Sequence, residues 1–164
     1  MNSGAKVKEW FHTTKLLQDL QTFHYLCIPI QPQIDMIEIG IKGSRAMAVT
    51  EAESAKHIGS GTVLVLSTPM MIALIEKTCR LSVKPFLEEG QETVGTHVNV
   101  SHVAATPLGM SVRCETELIE VERRKLVFKV AVSDEDGLVG EGTHERFIID
   151  EARFQSKAEA KKSK

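Results

Sequence analysis

The stretch Ser67–Val83, STPMMIALIEKTCRLSV, constrains the fold of this chain more than any other. Thr68 carries the hydroxyl of a helix N-cap, able to accept from an unpaired amide of the first turn. Pro69 suits the first helical position, where a missing N–H costs nothing. Met70 to Ile75 then form a run of six apolar residues. A surface helix shows one apolar stripe, so a helix apolar all round its first two turns predicts enclosure by the rest of the fold. Glu76 breaks the run, and a carboxylate persists in such surroundings when it is paired or hydrogen-bonded. An amide-rich helix start with an isolated acid two turns on marks a candidate site. Pro85 sets the end of the helix, because the residue before a proline avoids the α region.

A chain of 164 residues predicts one domain with one sizeable core. Its net charge is −2, with acids and bases mixed along the chain, which argues against nucleic acid or a membrane surface as partner. The apolar runs are too short to span a bilayer. Cys27, Cys79 and Cys114 are widely spaced and odd in number, so the expectation is a reducing cytoplasm rather than a disulfide framework. No CxxC or His-rich tract suggests a structural metal, and the expected metal set is none.

Residues 1–35 differ from the rest of the chain: they hold the only Trp and the only Tyr, and read as an N-terminal extension. The domain is expected over 36–154, with a charged Lys/Ala-rich tail over 155–164. Ile37, Ile39 and Ile41 alternate with polar residues as a half-buried strand does, with a bulge or bend at Gly43. Thr50 and Glu53 have the spacing of a capping box that opens a short helix. After the long helix the period changes to two. Val94, Val98, Val100, His102 and Ala104 are expected on one face of a strand, with Gly95 and His97 on the other. Strands come next at 110–118, 126–132 and 138–150, and their short connections predict an antiparallel meander of the last four strands. The pattern is that of an α+β domain whose sheet curls around the helix. Gly140 and Gly142 share a face of the last strand, where a helix or ligand can come close.

Thr68–Glu76, Gly95, SHVAATPLG at Ser101–Gly109 and GTHERFII at Gly142–Ile149 together resemble the hotdog-fold thioesterases related to fluoroacetyl-CoA thioesterase. The resemblance runs from about residue 36 to 154. It implies an antiparallel sheet wrapped around one long central helix, assembled as a homodimer or a dimer of dimers, with sites at the subunit boundary. It also implies hydrolysis of acyl-CoA thioesters without metal or organic cofactor, coenzyme A entering only as part of the substrate. By that resemblance Thr68, Glu76 and His102 are catalytic, while Gly95 and Arg146 contact the substrate. Family members carry phenylalanines ahead of the catalytic Thr, whereas this chain has HIGSGTVLVLS, so the implied acyl preference is broader or different.

Simpler roles stand beside these. Glu76 is placed to pair with Arg80 one turn on, and a lone His102 on an apolar strand face reads equally as a core histidine. His144 and Arg146 share a face of the last strand, from which both reach a ligand or Arg146 forms a structural ion pair with Glu145 or Glu115. A hotdog hydratase is disfavoured, since those enzymes pair an Asp with a His about five residues later and the matching position here is His97. The non-enzymatic alternative is an acyl-CoA-binding regulatory or scaffold module of the same fold.

Overall fold

The computed structural model describes residues 37–163, so the extension expected over 1–35 lies outside the described residues. Strand β1 spans Lys42–Ala48, short helix α1 Ala55–Ile58, and the long helix α2 Thr68–Val83. Strands β2 (Gln91–His102), β3 (Ser111–Glu122), β4 (Lys125–Ser133) and β5 (Leu138–Asp150) come after it, and helix α3 covers Glu151–Glu159. The tail expected from residue 155 is therefore helical at its start, with Asp150 capping α3 by accepting from the Arg153 amide.

The five strands form one antiparallel sheet in the order β1-β3-β4-β5-β2. This corrects the expected meander of the last four strands. Only β3, β4 and β5 are sequential neighbours, while β2 crosses to the far side of β5 and becomes an edge. Tight turns join β3 to β4 and β4 to β5, but the longer segment from Val103 to Met110 lets β2 and β3 lie on opposite sides of the sheet.

The inward faces of β3 and β4 supply Val112, Cys114 and Leu118, then Leu126, Phe128, Val130 and Val132, all buried. These pack with Met71, Leu74, Ile75, Cys79 and Val83 of α2 in one core. At Gly140 of β5 a Cβ would lie 2.7 Å from Met71 Sδ, so the missing side chain lets α2 lie close to that strand. Enclosure of α2 is one-sided in the single chain: Met70 and Ile72 are partly exposed and Ala73 is exposed. Among the described residues, no helix is long and apolar enough to cross a membrane.

The other local differences have specific causes. The strand expected from Ile37 begins at Lys42, because Ile39 and Gly40 form a turn with Gly40 at φ 98°. Strand β1 then passes Gly43 in unbroken register with Thr116, without a bulge. The Thr50–Glu53 capping box forms, but over a 3₁₀ turn that precedes α1.

Candidate active site

Helix α2 begins one residue away from the expected cap. Ser67, which is buried, is the N-cap and accepts from the Met70 amide at 3.3 Å. Thr68 is thereby the first helical residue, with Pro69 after it. The shift leaves the Thr68 hydroxyl free of capping, and it lies 2.8 Å from His102 Nδ1 at the end of β2. The other ring nitrogen of His102, Nε2, is buried and has no hydrogen-bond partner among the described residues. The segment ahead of α2 is held by Thr106, whose carbonyl accepts from the Leu66 amide at 2.8 Å. The buried Thr106 hydroxyl donates to Asp134 at 2.7 Å and thereby keeps the Asp134 carboxyl below its usual pKa.

Glu76 lies eight residues along α2 from Thr68, roughly 12 Å of helical rise. Its side chain is 43% exposed in the single chain, and its carboxylate is 3.7 Å from Arg146 Nη1. Arg80 bonds Glu92 at 2.6 Å, which excludes the simple helix-surface pairing for the observed conformation. The Glu76 carboxylate rests over Gly95, where a Cβ would approach Oε1 to 3.0 Å. Among the described residues, no hydrogen bond joins Glu76 to the Thr68–His102 pair.

Gly95 and His102 face the same side of β2, although alternation puts positions an odd number apart on opposite sides. A bulge between Gly95 and His97 resolves this: Gly95 pairs with Arg146 and His97 with Glu145, so Thr96 is an extra residue. Parity inverts there. Thr93 and Gly95 face inward before the bulge, and Val98, Val100 and His102 after it. The expected grouping of Val94 with Val98 is corrected accordingly.

His144 and Arg146 of β5 face inward and are buried in the single chain, His144 being 0% exposed and Arg146 3%. Arg146 donates from Nε to the Thr93 hydroxyl at 2.9 Å and from Nη2 to the Thr93 carbonyl at 2.7 Å. Its Nη1 lies 3.2 Å from His144 Nε2, and His144 Nδ1 lies 2.9 Å from the His97 carbonyl. A carbonyl only accepts and a guanidinium only donates. His144 must therefore carry its proton on Nδ1 and leave Nε2 bare, as a neutral ring. Burial and the Arg146 charge hold its pKa below the ordinary histidine value, against the opposing pull of the His97 carbonyl. Thr93, which fixes the guanidinium, gave no sequence signal, since its inward direction depends on the bulge.

The 97-residue best-matching span is 39% identical to the fluoroacetyl-CoA thioesterase of Streptantibioticus cattleyicolor, covering 59% of this chain and 70% of the relative. A solved structure of fluoroacetyl-CoA thioesterase superimposes with a TM-score of 0.74 at 32% identity, over 77% of this chain and 98% of that one. A Thermus thermophilus hypothetical protein of the thioesterase superfamily gives a TM-score of 0.73 at 28% identity, over 79% and 96% of the two chains. A sheet of this order around one long helix, with these relatives, defines a hotdog-fold thioester hydrolase. Residues 49–152 match the family of fluoroacetyl-CoA-specific thioesterases, and the chain belongs to that family.

Proposed function

We propose that this protein hydrolyses a short or medium acyl-CoA to the carboxylate and free coenzyme A, using Thr68, Glu76 and His102 at a site shared by two copies of the chain. The observation that carries this reading is the Thr68 hydroxyl, 2.8 Å from His102 Nδ1 at the start of α2. The positive end of the helix dipole there stabilises the oxyanion formed when the thioester carbonyl is attacked. Glu76, held beside Arg146, serves as general base toward water or as the nucleophile of a transient acyl-enzyme. In either route water supplies the new carboxylate oxygen and the coenzyme A thiol leaves, so no other cofactor is invoked.

A dimer is supported by two surfaces of the single chain. Among the described residues, strand β2 is paired on one side only along its twelve residues, leaving an edge of the kind that folded proteins normally cover. On α2, Ile72 is half-buried and Ala73 exposed, leaving apolar surface on the helix in the single chain. A shallow, open depression of about 250 Å³ lies beside His102, bounded by Val65, Leu66, Val103, Ala104 and Ala105.

The test is release of free thiol from a panel of acyl-CoAs. Hydrolysis of at least one short or medium member is expected, with Glu76→Gln lowering kcat by about 100-fold while the fold is kept. Tight acyl-CoA binding without thiol release would favour the binding-module alternative, and unchanged turnover in Glu76→Gln would remove Glu76 from the mechanism.

A further inference from the structure

We propose that His144 is a positioning residue for the hydrolytic site, its neutral ring bridging the β2 bulge to Arg146 and so fixing the guanidinium that holds Glu76. The inference rests on the thioesterase reading of Glu76. The bulge carbonyl at His97 accepts from His144 Nδ1 at 2.9 Å, so the irregular backbone is stitched from the inside. From the other face, the Thr96 hydroxyl donates to the Glu145 carbonyl at 3.3 Å. The bulge in turn orients Gly95 inward, where its missing side chain leaves space for two groups at once: a Cβ there would lie 3.0 Å from Glu76 Oε1 and 3.1 Å from His144 Cε1. Glu76, Gly95 and His144 thus form a tight stack, and Arg146 spans it on one side.

The chain of donors has one polarity. His144 gives its only proton to the His97 carbonyl and offers Nε2 as an acceptor to Arg146 Nη1 at 3.2 Å. That same Nη1 lies 3.5 Å from the Glu76 carbonyl oxygen and 3.7 Å from the Glu76 carboxylate. An ion pair to a carboxylate that is 43% exposed adds little to stability. Its value is geometric, since a small misplacement of a reacting group lowers rate far more than it lowers stability. A second proton on His144 would point Nε2–H at the guanidinium and break the bridge. The charged groups that act on the ring are Arg146, Glu76 and, from the opposite face of β5, Glu145, while the His97 carbonyl bonds Nδ1.

Substitutions separate the two ends of the bridge. Glutamine reaches far enough to place its carbonyl near Nε2 and accept from Arg146, whereas leucine supplies neither bond. His144→Leu is expected to lower kcat by about tenfold to 100-fold with KM changed by less than about threefold, and His144→Gln to recover most of kcat. In an Arg146→Gln background, His144→Leu is expected to cause no further loss, because the histidine acts through that guanidinium. Equal losses in both backgrounds, or a glutamine variant no better than leucine, would overturn the proposal. Nitrogen NMR of the unsubstituted enzyme reads the bridge without turnover: a protonated Nδ1 and a bare Nε2 are expected at neutral pH, and an Nε2–H ring or an imidazolium would overturn it. If no acyl-CoA is cleaved at all, the activity reading fails, while the NMR result still decides the bridge.

Discussion

A Cβ at position 95 would press on the Glu76 carboxylate at 3.0 Å and on the His144 ring at 3.1 Å. The carboxylate is the end of a flexible side chain and gives way first, whereas the ring is held at both nitrogens. Gly95→Ala is therefore expected to fold with a loss of about 1 kcal/mol but to lower kcat by about tenfold. Matched measurements of unfolding midpoint and turnover check it; a large stability loss with normal kcat per folded molecule would show that the glycine serves packing alone. At this scale the sequence exposes chemistry better than surroundings. Thr68, Glu76 and His102 stand out because a hydroxyl, an acid and an imidazole occupy otherwise apolar patterns. The roles of His144 and Arg146 do not, because parity on β5 shows that both point inward without showing what lies above them. Thr93 is silent altogether, since one extra residue in β2 decides its direction.

Among the elements, the end of α2 is tied to the start of β2 by a small ionic cluster. Glu92 accepts from Arg80 at 2.6 Å and from Lys84 at 3.2 Å. Burial opposes its ionisation, but these bonds and the Thr93 amide outweigh that and hold the carboxyl at about 2, below its ordinary 4.5. A carboxyl depressed in the folded state contributes stability that is present above the unfolded pKa and lost as pH falls through the folded one. Glu92→Gln should thus cost about 1 kcal/mol near neutrality, a value kept low because Arg80 and Lys84 are each nearly half exposed. The difference should shrink below pH 4.5 and vanish near pH 2. Denaturant unfolding across that range tests it, and a pH-independent difference would contradict the clamp. Helix α2 and most strands were legible from period and from Pro85, since these are local signals. The cap was displaced by one because Ser67 and Thr68 both suit it, and the sheet order was not legible because pairing of β2 with β5 spans the two intervening strands.

For the whole molecule, the roughly 12 Å of helix between Thr68 and Glu76 lets one thioester carbonyl meet both within one chain only if the Glu76 side chain points back along the helix, a marginal reach. In the dimer proposed above, antiparallel α2 helices about a twofold axis would bring the Thr68 of one copy near the Glu76 of the other, giving two equivalent sites. Thr68→Val and Glu76→Gln homodimers are each expected to be nearly inactive, and free exchange between them to recover about one quarter of parental activity. No recovery despite exchange demonstrated by a size tag would place both residues in one chain. The position of β2 has another consequence, which concerns time rather than geometry. Its partner among the described residues is β5, so the pairing that sets Gly95 and His102 in the sheet closes a loop containing β3 and β4. Pairings that close long loops are slow to form, and unpaired edges open at low free energy. The amides of β2 that face away from β5 should exchange with heavy water well before those of β3 and β4 in the single chain, and dimerisation should protect them. In mild denaturant, turnover should then fade before helical content does, because the edge strand carries half of the chemistry.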